Sequence, residues 1–279
     1  MKISIAGGKG GTGKTTVAIG LASAVREDVL LLDCDVEEPK CHHFLNPKEM
    51  DARSLSVLTP NVIAQKCTGC GACRDICEYN AIIMMGSKPL VFPELCHGCG
   101  ECIHSCPTDA IVESLHEIGV IERGRSGRVT LVQGKLNIGE VISSPLIRAV
   151  RAHEKGNELT IIDSPPGATC PTVAAVKDTD FVVLVAEPTP RGYGDLVVAV
   201  EMIEALKLRY GIVINRVGTG DDRVHRYCKT KEIPILAEIP SDGRIAEAYS
   251  LGRAIVDALP EYRNLFIDLL EEVQGSVMS

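Results

Sequence analysis

The chain has 279 residues, a formal net charge of -8 at neutral pH and 45% hydrophobic residues. This length can bury one substantial core and a small additional module. The acidic balance argues against nucleic acid as a partner, because phosphate contacts need clustered lysine or arginine. The sequence shows no secretory signal and no run of roughly 20 apolar residues. We therefore expect a cytoplasmic protein without a membrane partner.

Short apolar segments alternate with amphipathic ones, which is typical of an α/β fold. All-apolar strands of this kind predict a mostly parallel, doubly wound sheet that helices cover on both faces. The predicted strands are, in chain order, residues 2–6, 29–32, 119–121, 128–132, 159–163, 181–186, 211–215 and 235–239. The predicted helices are residues 14–25, 144–153, 194–206 and 262–273.

A glycine-rich segment joins the first strand to the first helix and fits the phosphate-loop (P-loop) pattern. Its residues are Gly8, Lys9, Gly10, Gly11, Thr12, Gly13, Lys14 and Thr15. Backbone N–H groups of such a loop face phosphates at a helix N-terminus, where the helix dipole favours anions. In this pattern Lys14 reaches the terminal phosphates and the Thr15 hydroxyl binds Mg²⁺. We therefore predict a nucleoside triphosphate site.

Two cysteine runs of the same design follow. They contain Cys67, Cys70, Cys73 and Cys77 in the first run, and Cys96, Cys99, Cys102 and Cys106 in the second. A shift of 29 positions superimposes the runs and maps Gly71 onto Gly100, which predicts two pseudo-symmetric halves. In a chain with a nucleotide site and no secretory signal, such cysteines indicate metal ligation rather than disulfides.

The composition changes where the cysteine-rich sequence begins and again where it ends. Apolar, strand-like sequence resumes after residue 115. We therefore predict a P-loop domain in two parts, residues 1–59 and 116–279, with residues 60–115 inserted between them as a small cysteine-rich domain.

The inserted segment resembles the bacterial two-cluster ferredoxin family, which implies that residues 60–115 form a small ferredoxin-like α+β domain. In that family, three closely spaced cysteines and a fourth from the other run hold a [4Fe–4S] cube. The resemblance implies that cluster 1 is held by Cys67, Cys70, Cys73 and Cys106, and cluster 2 by Cys96, Cys99, Cys102 and Cys77. One departure is Glu78 after Cys77, where the second run has Pro107 after Cys106. The alternative is a pair of zinc sites, although zinc usually takes two CxxC pairs.

The rest of the chain resembles the MinD/ParA and nitrogenase iron-protein superfamily of ATPases with a deviant Walker A loop. The matching segments are Lys9 to Thr16, Asp33 to Asp35, Asp163 to Gly167, and Glu187 to Pro190. The resemblance implies that residues 8–16 bind ATP or ADP. It also implies a homodimer with nucleotide at its interface, in which Lys9 reaches the partner's nucleotide. A solvated loop lysine is the alternative for Lys9.

The same resemblance implies roles for single residues. Asp35 orients the attacking water, with Asp33 as the alternative, and Asp163 acts on Mg²⁺ through water. The pair Asn215 and Arg216 corresponds to the base-recognition position, and Pro240 lines the purine pocket. Aspartates at strand ends also cap helices, and asparagine after a strand is common turn chemistry.

Together these features predict a MinD-like ATPase whose ATP binding and hydrolysis is coupled to electron transfer through two [4Fe–4S] clusters to a redox partner. The alternatives are an iron–sulfur assembly or carrier ATPase, and a regulatory or positioning ATPase with structural clusters. Among the remaining cysteines, we interpret Cys41, with His42 and His43, as packing or exposed residues rather than a third metal site. We interpret Cys170 as a buried structural cysteine rather than a redox-sensitive one.

Overall fold

The computed structural model describes residues 1–154 and 159–278. Among these residues the strands are β1 (Lys2–Ala6), β2 (Val29–Asp33), β3 (Lys48–Val62), β4 (Ile82–Met85), β5 (Lys88–Val91), β6 (Ile111–Ser126), β7 (Val129–Leu136), β8 (Leu159–Asp163), β9 (Phe181–Ala186), β10 (Tyr210–Val217) and β11 (Ile235–Pro240). The helices are α1 (Lys14–Ala24), α2 (Cys41–Leu45), α3 (Ala72–Asp75), α4 (Glu101–His104), α5 (Ser144–Arg151), α6 (Cys170–Val176), α7 (Pro190–Ala205), α8 (Arg223–Lys231), α9 (Gly243–Ser250), α10 (Ile255–Ala258) and α11 (Arg263–Met278).

One large sheet organises the chain, in the order β11-β10-β9-β1-β8-β2-β7-β6-β3. The strands from β11 to β7 are parallel. The last two pairings, β7 with β6 and β6 with β3, are antiparallel. The prediction of a mostly parallel α/β sheet is therefore confirmed, with an antiparallel edge that the prediction did not include.

Helices cover both faces of the sheet because every central strand buries both of its sides. Ile3 and Ile5 of β1 pack on one face with α1 and with Phe266 of α11. The alternate residue Ala6 packs on the other face with α7 and α8. The α5 helix covers β2, β7 and β8 on that same face through Leu146 and Ile147. Two apolar layers thus hold the carboxyl ends of the parallel strands in place.

Helix α7 begins earlier than predicted, strand β6 extends beyond the predicted residues 119–121, and strand β3 was not predicted. Helix α7 begins at Pro190, before the predicted residue 194, because the Thr189 hydroxyl accepts a hydrogen bond from the Gly192 N–H and caps the helix. Threonine at the cap followed by proline at the first helical position is a strong start signal. Strand β3 was not predicted, because its outer residues are mostly polar and exposed.

Strands β3 and β6 form a long antiparallel arm. Their register runs from Lys48 opposite Arg125 to Val62 opposite Ile111. Strand β7 pairs only with residues 119–126 of β6, so the outer part of the arm extends past it as two strands. The predicted boundaries at 59/60 and 115/116 fall inside these strands. The arm thus joins the cysteine segment to the sheet without a flexible linker, and the division into domains stays a prediction.

The segment at the end of the arm repeats itself in structure as well as in sequence. Helices α3 and α4 are related by the shift of 29 residues. The preceding glycines also agree, since Gly71 has φ 81° and Gly100 has φ 79°. Both values lie in the left-handed region, which glycine enters without a Cβ clash. The two halves are therefore pseudo-symmetric, as the repeat predicted.

Within residues 1–154 and 159–278, no helix is both long enough and apolar enough to cross a membrane.

Candidate functional site

The P-loop connects β1 to α1 and is tightly packed. A Cβ on Gly8 would overlap the Asp195 carbonyl of α7, and a Cβ on Gly13 would overlap the Asn215 amide. Gly13 also has φ +99°, a conformation that other residues rarely adopt. Lys14 is 6% exposed and its Nζ donates to the Lys9 carbonyl at 3.0 Å. The loop therefore keeps a curled backbone that glycine alone permits.

The base of the loop touches the end of β10. The Asn215 side-chain amide donates to the Thr12 carbonyl at 2.8 Å, and its Oδ1 accepts from the Arg216 N–H at 2.9 Å. Arg216 has φ 58°, in the left-handed region. Asn215 thus positions both the P-loop and the backbone turn after β10, in addition to lining the cleft.

Three carboxylates meet at the carboxyl ends of β2 and β8. The Thr15 hydroxyl donates to Asp163 Oδ2 at 2.6 Å, while the buried Asp163 Oδ1 has no hydrogen-bond partner within the described residues. Burial, and then the neighbouring Asp33, raise the pKa of Asp163. A buried carboxylate that faces a threonine hydroxyl and lacks a donor fits a hard cation and its waters. The residues present therefore fit Mg²⁺.

Asp33 and Asp35 differ in what their oxygens do. Asp33 is fully buried, and its two oxygens accept three backbone N–H groups, those of Asp35, Lys40 and Cys41. Asp35 instead lines the open cleft. Burial, and then the charge of Asp33, raise the pKa of Asp35 to about 6, against the opposing effect of Lys14. Asp33 thus shapes the loop after β2, and Asp35 is the free carboxylate.

A cleft of about 680 Å³ opens beside these residues. From the P-loop it is lined by Gly10, Gly11, Gly13, Lys14, Thr15 and Thr16, and from the opposite wall by Asn215, Arg216, Pro240, Asp242, Ile245 and Tyr249 among others. Gly8 and Thr12 belong to the same loop but do not line this cleft. Burial lowers the pKa of Lys14, although Asp163 and Asp35 oppose that effect. The volume and the basic, glycine-rich floor fit a nucleotide.

Lys9 does not point into solvent. Its Nζ lies 3.0 Å from Glu187 Oε2, and the other Glu187 oxygen pairs with the Arg216 guanidinium. The Glu187 residue is 6% exposed and follows β9 directly. Sequence reasoning assigned no role to Glu187. A buried charge is costly without partners, so an acidic residue directly after an all-apolar strand was the available signal.

The position of Cys41, like that of Glu187, was not predicted from the sequence. It is fully buried, and its Sγ lies 3.7 Å from Asp163 Oδ2. Asp33, Cys41 and Asp163 are the one set of metal-ligand side chains, within the described residues, whose donor atoms all lie within 4.8 Å of one another. His42 instead contacts Gln133, with Nδ1 and Oε1 3.1 Å apart. Cys41 is thus packed in the interior, with its thiol in this candidate metal-ligand set.

The eight cysteines of the two runs surround two separate cavities. Cys67, Cys70, Cys73 and Cys106 line the first, of about 20 Å³. Cys77, Cys96, Cys99 and Cys102 line the second, of about 130 Å³. Each cavity therefore has three cysteines from one run and the last cysteine of the other.

Backbone N–H groups point at some of these sulfurs. The Ala110 N–H donates to Cys106 Sγ at 3.2 Å, and the Gly98 N–H donates to Cys96 Sγ at 3.4 Å. Hydrogen bonds from the backbone, first that of Thr108, lower the pKa of Cys106. Such bonds favour the thiolate, which is the form that binds metal. The donor set of each cavity fits an iron–sulfur cube.

The remaining cysteines lie apart from these cavities. Cys34, directly after β2, and Cys228, in α8, are buried. Cys170 is exposed at the start of α6, so the interpretation of a buried structural cysteine is wrong. The preceding segment from Ser164 to Thr169 leaves β8 as a loop, and Cys170 is the first residue of α6.

Residues 3–255 match the family described as the CobQ/CobB/MinD/ParA nucleotide binding domain. Two uncharacterized proteins of Methanocaldococcus jannaschii are similar. MJ0578 is 37% identical over 227 residues, which cover 79% of this chain and 80% of that protein. MJ0579 is 30% identical over 261 residues, which cover 92% of this chain and 91% of that protein.

Among solved structures, the septum site-determining protein MinD of Pyrococcus horikoshii OT3, complexed with Mg-ADP, is similar with a TM-score of 0.62. The match is 22% identical and covers 98% of this chain and 95% of that one, so it shows a shared fold. The chain belongs to the CobQ/CobB/MinD/ParA nucleotide-binding domain family, which includes the MinD and ParA ATPases.

Proposed function

We propose that this protein is an ATP-hydrolysing homodimer whose nucleotide state controls electron transfer through two [4Fe–4S] clusters. ATP, ADP and Mg²⁺ bind in the cleft between the P-loop and Pro240, and the clusters bind in the two cysteine cavities of the inserted segment, residues 60–115. The clusters supply one-electron redox chemistry. The observation that carries the proposal is the division of eight cysteines into two sets of four.

Three features of the inserted segment favour a bound cluster over zinc or an empty thiol set. Its buried core consists of little more than Cys73, Ile82, Cys102 and Ile111, and so small a core needs a metal or a disulfide. The eight cysteines form no disulfide, which leaves a bound metal group to support this core. No cysteine quartet of the described chain has its sulfurs within the 4.8 Å that one ion requires. A cube spreads its four ligands more widely than a single ion does.

The chemistry of ATP hydrolysis is assigned to five side chains. Lys14 binds the terminal phosphates, and Thr15 and Asp163 hold Mg²⁺, the aspartate through water. Asp35 orients the attacking water, a role that is supported by its position in the cleft and by the engagement of both Asp33 oxygens with backbone N–H groups. Lys9 completes the site of the partner subunit, as in the related ATPases.

Hydrogen bonds link the nucleotide site to the arm. The Leu136 N–H donates to the carbonyl of Val36, the residue after Asp35, at 2.8 Å. The next residue, Asn137, donates its N–H to Ile118 of β6 at 2.9 Å. Farther along the loop, Glu140 Oε1 lies 2.7 Å from His116 Nε2, also in β6. A shift of the loop after β2 on hydrolysis has a direct route to the arm that carries the cysteine cavities.

Anaerobic purification followed by iron and sulfide analysis and EPR tests the proposal. We expect about eight irons per chain. Cys106→Ser should remove one cluster signal, whereas Cys228→Ser, at a buried cysteine outside the cavities, should leave both. Colourless or zinc-loaded protein contradicts the clusters. Identical electron-transfer rates with ATP, with ADP and for Lys14→Ala contradict the coupling and leave the alternative of structural clusters. Faster transfer of iron to an apo-protein than loss to solvent indicates the carrier alternative.

A further inference from the structure

The two cysteine cavities are built on the same repeat but have different surroundings. The repeat pairs each residue of its first half with the residue 29 positions later in its second half. Tyr79, lining the second cavity, corresponds by the same rule to Thr108, which lines the first. A side chain that differs between counterparts is therefore a feature of one cavity alone and is not required by the shared arrangement of cysteines.

The counterparts differ in charge and in size. The second cavity is lined by His97, Glu101 and Glu113, and the same positions around the first cavity hold Thr68, Ala72 and Met84. Neither Glu101 nor Glu113 has an ion-pair partner among the described residues, and both are exposed. Two uncompensated carboxylates thus face solvent beside the second cavity and none occupies the equivalent positions beside the first.

The second cavity also has an apolar border. Leu58, Ile76 and Tyr79 line it and are 46%, 41% and 43% exposed. The Tyr79 ring stacks on the His97 ring, with centroids 3.7 Å apart and an interplanar angle of 14°. The counterpart of Ile76 is Ser105. A flat aromatic pair among exposed aliphatic side chains is a surface that another protein can cover.

We propose that this face, defined by Leu58, Ile76, Tyr79, Glu101 and Glu113, is where a redox partner with a basic rim docks. The inference rests on the proposed function, because it assumes that the second cavity holds a cluster. Electron exchange here moves one electron between the two proteins, so that one is oxidised as the other is reduced. A basic protein is favoured because unpaired carboxylates around an apolar centre attract lysine and arginine and speed association. A second copy of this chain is disfavoured, because it would present the same carboxylates.

The face can be tested with a basic c-type cytochrome as the probe and the full, cluster-loaded protein. Both proteins are first kept oxidised, so that binding is measured by calorimetry while no electron moves. The rate of cytochrome reduction is then measured with the chain reduced. We expect Glu101→Gln combined with Glu113→Gln to weaken binding and slow reduction by about fivefold at low salt, and the difference to shrink as salt screens the charges.

The chain offers a matched control for each kind of change. Asp109→Asn also removes one exposed carboxylate from the inserted segment, and it creates the residue type of its counterpart, Asn80. Met85→Ser removes an exposed apolar side chain of the β4–β5 hairpin, to compare with Ile76→Ser on the proposed face. We expect both control variants to bind the cytochrome as the unaltered protein does.

The outcomes separate this inference from the function on which it rests. Protein without EPR-active clusters contradicts the proposed function. Loaded protein in which Glu101→Gln with Glu113→Gln changes binding no more than Asp109→Asn overturns the docking face and leaves the function intact. Self-association of the unaltered, loaded protein that Ile76→Ser abolishes also overturns it, because the face then pairs with its own copy.

Discussion

Lys9 and Glu187 form an ion pair within one chain, with 3.0 Å between Nζ and Oε2. Glu187 is buried at the end of β9 and also pairs with Arg216. Its backbone carbonyl accepts the Thr189 N–H at 2.8 Å, so the carboxylate projects from a fixed turn. For Lys9 to reach the nucleotide of a second subunit, this pair must break. In the proposed dimer, Glu187 therefore competes with the partner's phosphates for Lys9.

The first prediction concerns Glu187→Gln. This change removes the charge that holds Lys9 and keeps the shape of the side chain. We expect ATP-dependent dimerisation to strengthen by about threefold to tenfold, since a largely buried pair with one mobile partner contributes on the order of 1 kcal/mol. Sedimentation velocity with a slowly hydrolysed ATP analogue measures the shift.

The control for this prediction is the same change in a Lys9→Ala chain. If Glu187 acts through Lys9, the two substitutions are strongly non-additive, and Glu187→Gln gains nothing when Lys9 is absent. An equal gain in both backgrounds shows that Glu187 affects the dimer by another route, such as release of Arg216.

The second prediction concerns the glycines of the P-loop. Gly13→Ala places a Cβ on the Asn215 amide and forces φ +99° on a residue with a side chain. We expect the free energy of unfolding of the nucleotide-free protein to fall by about 2 kcal/mol or more. Gly10→Ala is the matched control, since no atom lies within 4 Å of a Cβ at that position. Urea unfolding that ranks the two variants equally contradicts the packed geometry of the loop.

Much of the fold was accessible from the sequence because the parallel strands are buried on both sides. Segments such as Phe181–Ala186 are apolar throughout, and a short apolar run between helical patterns has few other interpretations. Strand β3 was missed for the opposite reason. Most of its side chains are exposed, and the alternation of Leu55 and Val57, which pack against the core, is too short to distinguish a strand from a loop.

The candidate site also has parts that the sequence predicted and parts that it did not. The P-loop and cysteine runs have fixed spacings, so their residues could be named from the sequence alone. The contacts of Glu187 and Cys41 could not be predicted from the sequence. Each is made with a residue far away in the chain, Lys9 and Asp163 respectively. The choice between Asp33 and Asp35 also depended on tertiary structure, since backbone N–H groups from the following loop engage only Asp33.

The third prediction concerns pH and Asp35. Its pKa in the folded chain is raised from 3.8 to about 6, so the folded state favours the protonated acid. The stability that this residue contributes is present below pH 4 and is lost as pH rises through 6. Relative to the unaltered protein, Asp35→Asn should gain about 1 to 2 kcal/mol between pH 4 and pH 7, after allowance for partial exposure.

Urea unfolding of nucleotide-free protein at the two pH values measures this change. Asp109→Asn, at an exposed position, shows what the loss of a surface carboxylate does by itself. A relative stability of Asp35→Asn that stays constant, or declines as pH rises, contradicts the buried position of Asp35 beside Asp33.

The last prediction concerns the hydroxyl that donates to Asp163. Thr15 Oγ1 lies 2.6 Å from Asp163 Oδ2 while the other carboxylate oxygen has no partner in the described chain. Thr15→Ala removes this group from the proposed Mg²⁺ site but leaves the P-loop backbone that binds the phosphates. We therefore expect ATP without Mg²⁺ to raise the melting temperature as before, the further rise on adding Mg²⁺ to disappear, and ATP hydrolysis to fall by about 100-fold. Thr15→Ser keeps the hydroxyl and should restore the Mg²⁺ effect. A Thr15→Ala protein that still responds to Mg²⁺ places the cation elsewhere, and the unpartnered oxygen of Asp163 then needs a different explanation.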